Sequence, residues 1–563
     1  MTGAPRMTAA RFIAETLHGY GVTHVFYIDA ILRRTLVEME ALGIRRIVTH
    51  SEKAAAYMAD GYARAVGRPG VCMAQSVGAA NLAAGLQDAY LGLSPVIALT
   101  GRKPPLFQHR NAYQEIQHAP LFEPVTKYNV DVVAGEQLPY TLRQAFREAT
   151  SGAPRPVHLD LLGTRGEVLE QLELDAEVVV EDAYTRYPAA RPEPDPAQVQ
   201  RAAEALARAR HPVIVAGGGV RASSAHAEVV ELAERLSIPV ATSPNGKGTI
   251  LDSHPLSVGL VGSYSRWCAN RTVDGADLVL FVGSHTGDQV THNWTLPRAG
   301  TPVIQIDIDP SELGRSYPQA IGVLGDARAA LRKLIEALAG RGSSEATRGW
   351  ADQAQRWVKE WEGEMEPRLA SDAAPIRPER LCRELTQALP DNAILVSDTG
   401  YSAIWTGTLV RLTEPGQAYL RAAGSLGWAF PAALGARCAA PDRPVVCFTG
   451  DGGFLYHLSE LETASRYGIH TVTVVNNNSG LGQAVPGIRR AYGDRPGDQQ
   501  ALYHFRDVNY AHIAREMGCQ GFRVEHPAEI AGALRQALAS GRPAVVDVVT
   551  DLTCEAPEPW VPA

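Results

Sequence analysis

Short apolar runs recur along the chain, each followed by a small polar turn and then by apolar residues at helical spacing. Thr8 to Tyr20 predicts an amphipathic helix. Val22 to Ile28, Arg45 to His50, Val71 to Ala74, Pro95 to Thr100 and Pro156 to Leu161 predict strands, with helices at Ala54 to Val66 and Asn81 to Leu91. Strand and helix alternating at this pitch mean a parallel, doubly wound sheet. The pattern restarts twice. After a helix at Val199 to Arg210, strands are predicted at Pro212 to Ala216, Pro239 to Thr242, Ala276 to Val282 and Pro302 to Ile308. Later come strands at Ala393 to Ser397, Pro444 to Thr449 and His470 to Val475, with a helix from Leu455 to Tyr467 between the last two. A linker rich in Pro, Ala and charge, Tyr184 to Gln198, separates the first and second series. A charged helical connection, Gly340 to Arg380, separates the second and third, and its Trp350, Trp357 and Trp361 read as packing. The fold class expected is α/β, three consecutive doubly wound parallel-sheet domains at 1–182, 190–340 and 376–563.

Composition narrows the function. The 563 residues are 45% hydrophobic and 20% charged, as globular domains are, and the net charge is −8. No basic patch neutralises a phosphate backbone, so nucleic acid is not an expected partner. No apolar run reaches the ~18 residues of a membrane span, and Met1 to Arg11 has no signal-peptide pattern. The seven cysteines are scattered without CxxC spacing, which argues against a zinc site and suits free thiols in a cytoplasmic protein.

The chemistry concentrates in one strand–helix–strand unit. Gly450-Asp451-Gly452-Gly453-Phe454 follows its first strand, and Asn476-Asn477-Asn478-Ser479-Gly480 its second. Both clusters therefore lie on the carboxyl rim of a parallel sheet, where such sheets bind ligands. Asp451 offers a carboxylate, Asn478 an amide oxygen and Gly480 a backbone carbonyl. That set suits Mg²⁺, which takes about six oxygens and leaves places for phosphate oxygens. Gly450, Gly452 and Gly453 let backbone amides face those phosphates.

GDG-x-F, then Glu460-Leu461-Glu462-Thr463-Ala464, then the Asn cluster resembles the signature of thiamine-diphosphate (ThDP) enzymes. Glu52, with Ala59 to Arg64, Asn81-Leu82 and Asp88-Ala89, resembles the pyrimidine-binding domain of the acetolactate-synthase-like family. The resemblance covers nearly the whole chain and implies the domain order pyrimidine-binding, central, diphosphate-binding. It implies that Glu52 acts as the acid on the cofactor's pyrimidine ring. It places Asp398-Thr399-Gly400-Tyr401 at the diphosphate, Gly424 at the aminopyrimidine and Leu426 as its apolar prop. It puts Gln114 and Lys127 at the active-site entrance. A homodimer or homotetramer is implied, with each site shared between two subunits. So are ThDP and Mg²⁺ as cofactors, and a 2-oxo acid or an α-diketone as substrate. FAD is admitted in the central domain but not favoured, because Gly283-Ser284-His285-Thr286 departs from the flavin-binding pattern.

Three departures lie on the substrate side: Tyr27-Ile28-Asp29-Ala30 in place of a Gly-Pro-Gly loop, Ser76-Val77 in place of Gly-Pro, and Gln483-Ala484 in place of Met-Val. The fate of the cleaved substrate therefore stays open between carboligation, simple decarboxylation and hydrolysis of a diketone. A non-catalytic paralogue is the least favoured reading, because Glu52, Asp451 and Asn478 are all present.

Overall fold

The computed structural model describes residues 6–562. The first set of strands is β1 (Arg6–Thr8), β2 (His24–Tyr27), β3 (Arg45–Val48), β4 (Gly70–Ala74), β5 (Val96–Arg102), β6 (Tyr128–Val132), β7 (Val157–Leu162) and β8 (Glu173–Asp175). Six of these form one parallel sheet in the order β3-β2-β4-β5-β7-β6, while β1 and β8 pair as a small antiparallel ribbon. The second set is β9 (Pro212–Ala216), β10 (Val240–Thr242), β11 (Ser257–Leu260), β12 (Leu278–Val282), β13 (Val303–Asp307) and β14 (Ile321–Leu324). The third is β15 (Ile394–Ser397), β16 (Ala418–Arg421), β17 (Val445–Gly450), β18 (Val472–Asn477), β19 (Gln520–Val524) and β20 (Ala544–Val549).

These are three parallel six-stranded sheets, as the alternation of strands and helices predicts. The outer two share one winding: β16-β15-β17-β18-β20-β19 repeats the order of the first sheet. The central sheet runs β11-β10-β9-β12-β13-β14, the winding usual for nucleotide-binding folds. The hydrophobic pattern does not predict β6, β11, β14, β16, β19 or β20. Of these, β6 and β19 are edge strands with four of five residues only half-buried, so they show no continuous apolar run.

One expectation is corrected. The segment Leu455 to Tyr467 is not one helix. A short helix Asp451–Leu455 is followed by a turn and then by a second helix, Glu460–Tyr467. Through the turn the bonding tightens to i→i−3: Tyr456 N–H donates to Gly453 and His457 N–H to Phe454. His457 is thereby buried edge-on against Tyr57 of the first sheet's helix layer.

The outer sheets meet face to face through two helices, Glu52–Val66 and Ala429–Ala439, whose side chains share one apolar core. Glycines allow the approach: Gly61 lies under the Ala432 carbonyl and Gly435 under the Met58 carbonyl. The tryptophans of the connecting helix Glu345–Leu369 are packing residues. Trp350 donates its indole N–H to the Pro212 carbonyl, and Arg266 and Arg271 stack on Trp361 and Trp357.

Candidate functional site

In the third sheet the chain turns away on opposite sides after β15 and β17, and a ligand site is expected between strands that part in this way. Four segments converge there. Asp398 follows β15, and its carboxylate accepts from Thr399 N–H (2.8 Å), Gly427 N–H (3.1 Å) and the Thr449 hydroxyl (2.9 Å). It is buried, which pushes its carboxyl up to about 6. Asp398 therefore ties the turn to the 424–427 loop and to β17. Gly400 has φ +65° and ψ −144°, a backbone conformation available essentially to glycine alone. Tyr401 then begins the helix Tyr401–Leu409.

Gly427 rests against the Gly453 carbonyl and Tyr456, which brings Leu426 and Gly424 to the rim of the same cleft. Gly450 ends β17 as the N-cap of the helix that Asp451 opens. Asp451 is buried, and its Oδ2 accepts from Gly480 N–H at 2.9 Å. Burial pushes its carboxyl up to about 7, against the pull of the neighbouring amides. The cleft stays narrow on this side: a side chain on Gly452 would meet Leu481 and Phe505, and one on Gly453 would meet Asp398 and Thr449. Asn478 carries a buried Oδ1 with no hydrogen-bond partner. Across from it, Phe505 N–H donates to Ser479 O, and Leu481 N–H donates to Tyr503 O.

These observations fit a hard divalent cation. Among the described residues the buried Asp451 carboxylate has no ion-pair partner and the Asn478 amide oxygen has no hydrogen-bond donor, and a cation would serve both. The donors are oxygens, as Mg²⁺ requires. No group of three or more His, Cys, Asp or Glu able to hold a metal exists among the described residues. A cation here would therefore need ligand oxygens, such as those of a diphosphate.

Glu52 stands elsewhere. It opens the helix Glu52–Val66, where Ser51 is the N-cap, and its carboxylate accepts from Asn81 Nδ2 at 3.2 Å and lies against Gly78. None of these contacts is with the Asp451 cleft. The backbone carbonyl of Gln114 accepts from the Ser76 hydroxyl (2.5 Å), so that loop crosses the same rim as Glu52. Lys127 is not brought to either place. It precedes β6, at the amino edge of the first sheet, and its ammonium donates to the Ser151 and Ala153 carbonyls. The parallel direction of β6 dictates this: residues entering a strand lie on the rim opposite those leaving it.

The departures on the substrate side have structural consequences. Ala30 is held at φ +79°, a left-handed conformation that a glycine adopts at little cost. Val77 stays half exposed, and the Gln483 amide closes on Gly400. Residues the sequence reading did not single out are Thr449, Tyr503 and Phe505, which meet the cleft through contacts no local motif encodes.

The central sheet carries a separate cavity of about 580 Å³ at its own switch point, lined in part by Gly218, Gly219, Asn245, His285, Asp307 and Arg421. Arg421 Nη1 is buried there without a partner.

Comparison with known proteins matches three family domains in order along the chain. Residues 7–121 match the N-terminal TPP binding domain of thiamine pyrophosphate enzymes, residues 199–334 the central domain and residues 398–548 the C-terminal TPP binding domain. A probable acetolactate synthase large subunit from Methanocaldococcus jannaschii is 34% identical over 97% of this chain and 92% of its own length. An acetolactate synthase from Arthrospira platensis is 30% identical over 96% of this chain and 94% of its own. The large subunit of acetolactate synthase isozyme 3 from Escherichia coli is 29% identical over 97% and 95%.

Proposed function

The chain belongs to the acetolactate-synthase-like family of thiamine-diphosphate-dependent enzymes, and on that footing we propose that it forms or breaks a C–C bond next to the carbonyl of a 2-oxo acid, with Mg²⁺ holding the cofactor. The observation that carries this is the pairing of buried Asp451 with the unpartnered Asn478 Oδ1 at the carboxyl ends of β17 and β18. Asp451, Asn478 and the Gly480 carbonyl would hold the cation, and the amides after Gly450 and Gly400 would face the diphosphate. Leu426 would support the cofactor's bent form and the Gly424 carbonyl would accept from its aminopyrimidine. When bound, thiamine diphosphate supplies the nucleophilic carbon and takes up the electrons released on C–C cleavage.

Glu52 would hold the proton at the pyrimidine ring nitrogen, and a second copy of the chain would bring it there. Two observations support a dimer. The Glu52 carboxylate takes its hydrogen bond from Asn81 and packs on Gly78, both in the first sheet's own helices. On the rim beside it Val77, Leu106, Phe107, Tyr113 and Ile116 are exposed, an apolar surface that a partner would cover. We assign Gln114 to the substrate entrance and leave Lys127 outside it. The central cavity is of nucleotide size, with FAD not favoured. No described helix is long and apolar enough to cross a membrane.

Carboligation of pyruvate is the first reaction to test, since similar proteins are acetolactate synthases by name. Decarboxylation or hydrolysis of an α-diketone is the second reading, favoured by Ala30, Val77 and Gln483 on the substrate side. Purified protein with ThDP, Mg²⁺ and pyruvate is analysed by mass spectrometry, with Glu52→Gln as the control. Acetolactate that disappears in the control supports carboligation, and acetaldehyde alone supports decarboxylation. Loss of a positioned acid should cost about 10²- to 10⁴-fold in rate while ThDP stays bound. Near-normal turnover by Glu52→Gln would sink the assignment.

A further inference from the structure

A buried charged cluster lies where the first sheet's helices meet the third sheet. The Arg64 guanidinium donates to both Asp60 oxygens (2.7 and 2.6 Å), to Asp88 Oδ1 (3.1 Å) and to the Arg421 carbonyl (2.9 Å). Asp60 also accepts from the Trp428 indole at 2.9 Å. Asp60 and Asp88 are wholly buried. Such a cluster could simply glue two layers together, but Asp88 has a second set of partners. Its carboxylate accepts from three consecutive backbone amides: Ala423 (2.9 and 3.0 Å), Gly424 (3.2 Å) and Ser425 (3.0 Å). From the same helix Gln87 donates to the Ser425 hydroxyl (3.3 Å). Two residues on, Gly427 N–H is held by Asp398.

Leu426 is thus the residue left between two carboxylate anchors, one from its own sheet and one from the first. A charged acceptor bonded to several amides fixes a loop far better than neutral contacts do. Nothing lies within 4 Å of where a Gly424 side chain would point, so the anchored loop faces open space there.

We propose that Asp88 is a positioning residue: by holding the amides of Ala423 to Ser425 it sets where Leu426 and the Gly424 carbonyl stand in the cleft. This rests on the reading of that cleft as the thiamine-diphosphate site. It gives Asp88 a role that neither the motif nor domain packing requires. It also makes the helix that carries Asp88, on the first sheet, answerable for the geometry of the third sheet's site in the same chain.

The test is a double-mutant cycle in the full-length protein, with Asp88→Asn, Leu426→Ala and the pair. The readouts are ThDP affinity at saturating Mg²⁺ and the near-ultraviolet circular dichroism of the bound cofactor, neither of which needs a known substrate. Thermal midpoints are recorded alongside. Asp88→Asn keeps the size but puts an NH₂ or a neutral oxygen before the amides and removes the charge facing Arg64. The expected result is a loss of affinity of about tenfold or more that largely vanishes in the Leu426→Ala background, since coupled neighbours are not additive. Two independent, multiplying losses overturn the proposal. So does a lowered midpoint with unchanged affinity and dichroism, which is what plain glue would produce. If Asp88→Asn does not fold, Gln87→Ala, at an exposed position, perturbs the same loop. A smaller loss that also vanishes with Leu426→Ala supports the proposal, and no change overturns it. Asp451→Asn separates the two levels. If it leaves ThDP binding intact, the site reading fails and this proposal with it. If it abolishes binding while the cycle is additive, only the Asp88 proposal fails.

Discussion

The crossing of the helices Glu52–Val66 and Ala429–Ala439 makes a sharp prediction, because it turns one substitution from helpful to harmful by position alone. Gly435 sits within its helix, where alanine is intrinsically better by about 1 kcal/mol. Here, however, an added Cβ would fall on the Met58 carbonyl oxygen, well inside the 3.0 Å that real Cβ atoms keep. Backbone cannot rotate away as a side chain can. The two helices must separate, and overpacking of this kind costs about 1–3 kcal/mol, sometimes more. Separation also thins a core that includes Tyr57, Met58, Phe430 and Trp428. A clash this close with backbone puts the cost at the upper end, about 3 kcal/mol, so that after the propensity gain of about 1 kcal/mol Gly435→Ala is expected to lose about 2 kcal/mol net. The matched control is Gly363→Ala, inside the helix Glu345–Leu369 with nothing within 4 Å of its added Cβ. It should gain about 0.5–1 kcal/mol. The assay is urea denaturation of both variants by tryptophan fluorescence, read as midpoint shifts since a chain of this size need not unfold in one step. A Gly435→Ala variant as stable as wild type, or tracking Gly363→Ala, would refute the tight crossing.

Other expectations follow from the cleft. Asp451→Asn should lower Mg²⁺-dependent ThDP affinity by at least the ~10- to 100-fold that even an outer-shell change costs a metal site, as titration calorimetry would show; undiminished binding would remove Asp451 as a ligand. Chelation of Mg²⁺ should release ThDP from the wild-type protein, detectable by ultrafiltration. Asp398 gives a pH test. Burial pushes its carboxyl from the ordinary 3.8 up to about 6. A raised carboxyl pKa stabilises the fold fully below the unfolded value, and that contribution fades as pH rises through about 6. The two-unit difference corresponds to about 3 kcal/mol. Asp398→Asn should therefore flatten the fall in urea midpoint between pH 4 and 6; an unchanged pH slope would mean the group is ionised throughout.

The local chemistry was legible in the sequence because it is local. Strand, turn and helix follow from spacing and small residues over a dozen positions, so the β17–β18 unit with Asp451 and Asn478 could be read directly. Even there, one detail escaped. The turn at Tyr456 to Ser459 sets His457 against Tyr57, a residue some 400 positions away, and helical spacing carries no trace of that contact.

Spacing along the chain is enough to read the class of protein: three parallel α/β sheets, a glycine-rich turn with Asp451 and an Asn cluster on one carboxyl rim, and an acid at the start of a helix on another. Each depends on residues that are neighbours in the chain. Which of these meet depends on the packing of the three sheets. It set Lys127 on the far edge because β6 runs parallel to its neighbours, and it turned Asp398 inward to serve Gly427 and Thr449. It hung the Leu426 loop on Asp88 and tied the Glu52 carboxylate to Asn81 and Gly78 within the first sheet's own helices. Those outcomes depend on how buried surfaces stack and on where buried amides find acceptors, and both are settled only when distant segments come into contact.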